Sequence, residues 1–499
     1  MRHYEQALRI DPKNAMAHNN LGAVLDGKGQ MDEALRHYEE ANRLDPNSAA
    51  IHANLGAALY RRGEVDEAIR HYEQAIRIEP KNADCHYNLG VALNKRGQRD
   101  AAMRHYEQAI QIEPRHVKAH ANLGDALADR GQTDAAIRHY EQALRIDPRF
   151  VEAHVGLGAA LEDLGQRDAA IRHYEQALRI DPNFVGAHVN LGAALRARGQ
   201  VEEAIRHYEE AIRIAPKNAM AHYNLAIALR ASGQTEAAIR HYEEVIRIAP
   251  RHAKAHFGLG VALRARGQVE AAIGHYEEAL RIDPNYAEAH CNLGHALQHQ
   301  GRFEEALVRL KQGHQLGSKR PKWRYSSAQW VRHAERLLLL DGKLPAILRG
   351  QARPADAEEQ LDLAELCRLK KRYAAATRFA ADAFVVRPAL ADDHRYDAAC
   401  DAARAGRGQG QDAVGLSDAE KARLRRQARE WLGAELDLRA TQLIRDRRAV
   451  EGALRHWLED PNLDGVRDPA SLAQLPEGER REWRSLWQQV ERLLGKDGK

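Results

Sequence analysis

Ala15–Ser48 reads AMAHNNLGAVLDGKGQMDEALRHYEEANRLDPNS. His18, Leu21, Gly22 and Leu25 recur at the spacing of one helix face, and Gly29 breaks the pattern. Ala34, Tyr38 and Ala41 form a second stripe that stops at Asp45-Pro46. The stretch predicts a helix A, a turn at Gly29-Gln30 and a helix B. Gly22 and Ala34 are small enough to let two helices approach closely. Tyr38 is large enough to fill the gap to the next pair. Pro46 ends helix B, because it has no N–H and its ring clashes with the preceding turn.

The stretch repeats. Pro12, Pro46, Pro80, Pro114, Pro148, Pro182, Pro216, Pro250 and Pro284 stand 34 residues apart. A fixed period of this length means one helix pair stacked on copies of itself, with each unit touching only its neighbours. Eight complete units run from Ala15 to Tyr286. A ninth starts at Ala287 and keeps Cys291, Asn292, Leu293, Gly294 and Ala306 but lacks the closing proline. Residues 1–14 enter the pattern inside helix B, and Met1-Arg2-His3-Tyr4 recurs as Met103-Arg104-His105-Tyr106. The expectation is therefore that Met1 is an internal methionine of a longer frame or a truncation point. A bare half-repeat would also offer apolar surface for self-association with a second protomer.

The small residues, the aromatic and the proline at these offsets resemble the tetratricopeptide repeat (TPR) family over Met1 to about Ser318. His18 and Leu25 stand where the family often has Trp and Tyr, and both departures recur in every unit. The resemblance implies an all-α fold: a right-handed superhelical TPR solenoid over 15–318, closed by a helical C-terminal cap of diverged repeats over 319–499.

The chain has 499 residues, a formal net charge of +4 and a sequence pI of about 8.7. Charge this balanced gives no basic field for nucleic acid. Cys85, Cys291, Cys367 and Cys400 show no CxxC spacing, which suits a reducing compartment. No apolar signal region or run of about 20 apolar residues is present, so no membrane association is expected. A cytoplasmic, non-catalytic protein without cofactor or metal is the expectation. The 26 histidines fall mostly in two columns, His18, His52, His86, His120 and successors, and His37, His71, His105 and successors. Column neighbours lie about 10 Å apart, too far to share an ion, so they read as packing residues whose protonation near pH 6 loosens the stack.

Three motif look-alikes fall away on inspection. Asp460–Gly465 begins like a calcium loop, but Ser471 stands where the bidentate Glu belongs, so it reads as a turn. Gly406–Gly410 has no strand before it and no Lys-Ser/Thr after it, and reads as a flexible linker or enlarged turn. His394–Asp397 echoes a kinase catalytic loop, but no Asp-Phe-Gly element accompanies it.

The sixth position of the units is Asn20, Asn54, Asn88, Asn122, Asn190, Asn224 and Asn292, interrupted by Gly156 and Gly258. An asparagine amide both donates and accepts, so a ladder of them can hold a peptide backbone with little regard to its sequence. The ladder is similar to that in the TPR arm of the O-linked N-acetylglucosamine transferases, which implies that these seven residues bind an extended polypeptide in the inner groove. The alternative is that the amides are inherited or bond a neighbouring repeat. Asp125, Asp129, Glu162 and Asp163 make the groove's middle acidic, and Arg196, Arg230 and Arg264 make its later part basic. A protein partner with complementary charge blocks is the expectation.

The register fades after Gly317. Ser326–Leu340 reads as a helix, Glu358–Pro388 as a diverged repeat, and Tyr396–Cys400 as another helix A. The helix B that follows starts at the capping box Ser417-Asp418-Ala419-Glu420. Further helices are expected near Arg448–Leu458 and Glu477–Leu494, with Trp431, Trp457, Trp483 and Trp487 closing this end. Ser327–Arg332, Leu361–Tyr373, His394–Cys400 and Leu454–Trp457 are similar to the C-termini of bacterial serine/threonine kinase–TPR fusion proteins. That resemblance implies a second reading, the substrate-recruiting arm of a longer kinase. A glycosyltransferase arm is disfavoured because residues after Ser318 lack a strand–helix alternation. A self-assembling structural element is the third reading.

Overall fold

Asn14 starts the first complete repeat by accepting the Ala17 N–H on its side-chain oxygen at 2.9 Å, which satisfies one of the helix's orphan donors. Asn82 and Asn218 do the same for Cys85 and Ala221, and His116 does so through Nδ1 for Ala119. Helix A then runs Ala15–Gly27, and helix B runs Met31–Leu44. Gly29 between them has φ +78°, a left-handed conformation that glycine adopts without a Cβ penalty. The computed structural model describes residues 1–443 and 445–495, and among them the secondary structure is helical throughout.

The chain divides into two compact units, Met1–Pro250 and Arg251–Lys499. Unit 1 repeats the pair without interruption as far as Ala219–Ala231 and Thr235–Ile248. Its successive A helices touch one another, while successive B helices come less close. The A layer is thus the inner layer of this unit. Tyr38, Tyr72, Tyr106, Tyr140, Tyr174, Tyr208 and Tyr242 are buried between the layers. A Cβ added to Gly22 would lie 2.9 Å from the Tyr38 ring, and one added to Gly158 would lie 2.5 Å from Tyr174. Burying each ring stabilises the stack by about 2 kcal/mol.

The two histidine columns meet inside each repeat, which spacing along one column did not reveal. His18 and His37 place their Nδ1 atoms 2.9 Å apart. The pairs His52/His71, His86/His105, His120/His139, His154/His173, His188/His207 and His222/His241 repeat the contact at 2.9–3.1 Å. The helix-A ring also puts Nε2 2.9–3.2 Å from the proline carbonyl six residues before it, as His52 does to Pro46. A carbonyl only accepts, so Nε2 carries the proton and the helix-A Nδ1 is a lone pair. The helix-B histidine therefore donates its Nδ1–H, and each repeat is stitched from proline loop to helix A to helix B.

Unit 2 opens with two more pairs, Ala253–Ala265 with Val269–Ile282 and Ala287–His299 with Phe303–Gly317. In the latter Arg309 replaces the helix-B histidine, and His290 Nδ1 is buried without a partner. The expected helix at Ser326–Leu340 is longer, Ser327–Leu348, because Leu344 and Ile347 continue its buried face past Pro345. The diverged repeat is Ala357–Leu369 with Tyr373–Val386, and Ala391–Gly406 pairs with the 25-residue helix Asp418–Gln442. The Ser417/Glu420 capping box is present in both directions.

The glycine-rich stretch is an anchored turn rather than a flexible linker. Gln411 N–H donates to Lys371 O, and Asp412 accepts from the Ala374 and Ala375 N–H groups at the start of the neighbouring helix. Gly410, at φ +99°, lies where a Cβ would be 2.6 Å from Tyr373. Trp457, Trp483 and Trp487 join one core with Trp431 packed on it, as the apolar stripes suggested. Asp460 ends a helix and accepts from Asn462 N–H and the Tyr396 hydroxyl, which makes its segment a pinned turn.

This packing has two measurable consequences. Burial, and then the partner histidine, push the helix-B rings below their ordinary value, His71 to about 4 and His139 and His173 downward. A folded-state value below the unfolded value of about 6.5 means that the unfolded chain binds more protons in between. The thermal midpoint should hold above about pH 6.5 and fall towards pH 4, with a shallower fall after His139→Gln and His173→Gln. Separately, Ala226 occupies the Gly158 column without exposure. Gly158→Ala should be near neutral, and Gly158→Val should destabilise by about 1–3 kcal/mol in urea unfolding.

Candidate peptide-binding surface

In unit 1 the ladder residues Asn20, Asn54, Asn88, Asn122, Asn190 and Asn224 stand half-buried on successive A helices. Asn122 lies beside Tyr106 of the preceding repeat. At Gly156, which interrupts the ladder, a Cβ would lie 2.5 Å from the Tyr140 ring. Some amides turn to neighbouring repeats. Asn54 Nδ2 donates to Asn19 Oδ1 at 3.0 Å, and Asn122 Nδ2 reaches the Tyr87 hydroxyl at 3.4 Å. Their Oδ1 atoms remain as acceptors, so these two positions combine a contact between repeats with a polar inner surface.

The acidic residues belong to the same inner layer. Asp125 Oδ1 accepts from the Tyr140 hydroxyl at 2.6 Å. Asp125 is open to solvent on one side yet crowded on the other. That desolvation, with Asp129 and Glu152 nearby, pushes its carboxyl up against the opposing Tyr140 bond. Asp129 lies 3.5 Å from Arg99, and Glu162 lies 3.6 Å from Arg167. Asp163 is exposed at the end of its helix.

One column runs through the last turn of every A helix in unit 1: Asp26, Tyr60, Asn94, Ala128, Glu162, Arg196 and Arg230. Its members can reach the next repeat, since Asp26 ion-pairs with Arg61 and Lys95 sits 4.7 Å over the Tyr60 ring. Arg196 is half-buried and faces Tyr208, and Arg230 faces Tyr242.

Unit 2 carries Arg264 and Asn292. Asn292 Nδ2 donates back to Glu288 O of its own helix at 2.9 Å. Arg264 faces His295 and His299. Burial first, and then the arginine charge, push His295 down to about 4. Beyond them lies a polar series that no sequence motif marks. His333 Nε2 meets Glu365 Oε1 at 3.0 Å, and that bond raises the imidazole's pKa. Arg368 reaches Asp397 at 3.0 Å and the buried Asp401 at 2.8 Å. A signal existed, because His299, His333, Cys367 and Asp401 continue the 34-residue step past Gly317. Among the described residues, no group of three or more His, Cys, Asp or Glu side chains could hold a metal ion. None of their helices is long and apolar enough to cross a membrane.

The family description "TPR repeat" matches residues 27–63, 58–95, 124–165, 162–196 and 261–301. "Tetratricopeptide repeat" descriptions match 3–36, 83–116, 105–138, 185–251 and 229–274. No curated protein matches the chain. Solved structures do resemble it. The hetero-tetramer Cut9-Hcn1 of the APC/C aligns at 17% identity and TM-score 0.46, over 61% of this chain and 59% of that one. YrrB, a TPR protein with an unusual peptide-binding site, aligns at 24% and 0.32 over 37% of this chain and 95% of its own. MamA aligns at 29% and 0.31 over 33% and 97%. With the repeat, its caps and its tyrosine packing in place, and with family matches that together run from residue 3 to 301, the chain belongs to the tetratricopeptide repeat family.

Proposed function

We propose that this chain is a non-catalytic interaction scaffold that holds an extended polypeptide segment against the inner, helix-A layer of unit 1. The observation that carries this reading is the ladder of half-buried amides, one in each complete repeat of unit 1 except that of Gly156, on the inner layer. Amides at a fixed step match a peptide backbone, whose donors and acceptors also recur at a fixed step. Tyrosine burial and histidine stitches set the spacing before any ligand arrives, so binding requires little ordering of the scaffold. The charged residues Asp125, Asp129, Glu162, Asp163, Arg196 and Arg230 then select among partners by their side chains.

Asn88, Asn190 and Asn224 separate binding from folding, because the described residues give them none of the inter-repeat bonds of Asn54 and Asn122. Replacing these three by Ala should leave the thermal midpoint within about 2 °C of the parent, while peptides enriched on the parent from a phage-displayed library bind about tenfold more weakly. Equal binding by parent and variant refutes the ladder, and a library with no enriched peptide refutes the groove.

A further inference from the structure

The helix-B tyrosines of unit 1 occupy one place in the repeat, but their hydroxyls meet different groups. At Tyr140 the chain supplies a carboxylate, Asp125, at 2.6 Å. Two repeats later Ala193 stands in the Asp125 position, and the Tyr208 hydroxyl is buried without an acceptor on a side chain of 0% exposure. Arg196 has taken the place of Glu162 beside it, and its Nε is likewise buried without a partner. In the next repeat Ile227 again removes the carboxylate, and Arg230 faces Tyr242. Tyr223 faces both arginines. Glu162, which also faces Tyr208, is turned to Arg167. Neither Arg196 nor Arg230 forms an ion pair with an acidic side chain among the described residues. The result is a local excess of donors: two guanidinium groups, and the Tyr208 hydroxyl without the acceptor that Asp125 gives Tyr140.

We propose that Arg196 and Arg230, with Tyr208 behind the first, receive two carboxylate side chains from an extended acidic segment of a protein partner. The inference rests on the groove reading and names the chemistry of its occupant. The Asp125–Tyr140 contact is the chain's own version of half of this recognition. Arginine suits the task, because its planar fork presents parallel N–H donors to a carboxylate. Neighbouring A helices lie about 10 Å apart. A polyproline-II-like segment turns once in three residues and rises about 3.1 Å per residue, so acidic residues at i and i+3 reach both arginines from one side.

The test uses the full chain and short fluorescent peptides, proline-rich and amidated at the C-terminus, with Glu or Gln at every third position. A single-stranded RNA of similar length is the third probe. Anisotropy should show the Glu peptide binding about tenfold more tightly than its Gln twin, with the gap narrowing in salt. Arg196→Gln with Arg230→Gln should remove the gap by bringing the Glu peptide's affinity down to that of its Gln twin. Tyr208→Phe, which preserves the packed ring, should narrow the gap about threefold. Equal affinity of the two peptides for the parent overturns the inference and leaves the groove reading standing. A gap that survives the double arginine variant overturns the assignment to these residues. RNA binding tighter than the Glu peptide overturns the partner class, and binding of neither peptide overturns the groove reading as well.

Discussion

The stack in unit 1 depends on one contact, the tyrosine of helix B packed against a small residue of its own helix A. At Tyr140 the ring is wedged between Gly124 and Gly156, the ladder position of the next repeat. Where the small residue is glycine the ring lies close to the place of a Cβ, Ala226 fits a methyl into the same column, and the ring is large because two helix pairs would otherwise leave a void. Repeating the wedge at a constant step makes the inner layer regular. Amides and charged side chains on that layer inherit the regularity, so the surface is an outcome of packing before it is a feature of binding.

The histidine pairs add a directional stitch to this packing. Each runs from a proline carbonyl through two imidazoles and needs the Nδ1 lone pair of the helix-A ring. A second proton on the helix-A ring would bring two N–H donors face to face within a partly desolvated pocket. The proline that ends one helix B thus also fixes the tautomer of the next helix-A histidine. Unit 2 is built without the stitch beyond its first pair. Arg309 removes it, the following helix lengthens through Pro345, and ion pairs such as Arg368–Asp401 and Arg425–Glu479 take over the fixing of helices, beside a tryptophan core.

The electrostatic character of the inner layer also comes from single positions in a common frame. The same phenol is satisfied by Asp125 in one repeat and left without an acceptor beside Arg196 in another. Both repeats are built from a 13-residue helix A and a 14-residue helix B. What differs is whether the chain carries its own carboxylate beside the phenol.

The sequence by itself determined the helix pairs, their turns and their period, because these depend on local rules: apolar stripes at helical spacing, glycine at a left-handed turn, proline after the last turn. The family, the ladder positions and the capping box at Ser417 were legible for the same reason. Only the tertiary structure decided which columns meet. The pairing of His18 with His37, the turn of Asn54 towards Asn19, the anchoring of the glycine-rich stretch by Lys371 and Asp412, and the donor excess at Arg196 all join residues from different helices or repeats. Their relative placement is set by how closely helices approach, and that distance depends on side-chain volumes at the interface rather than on any spacing along the chain.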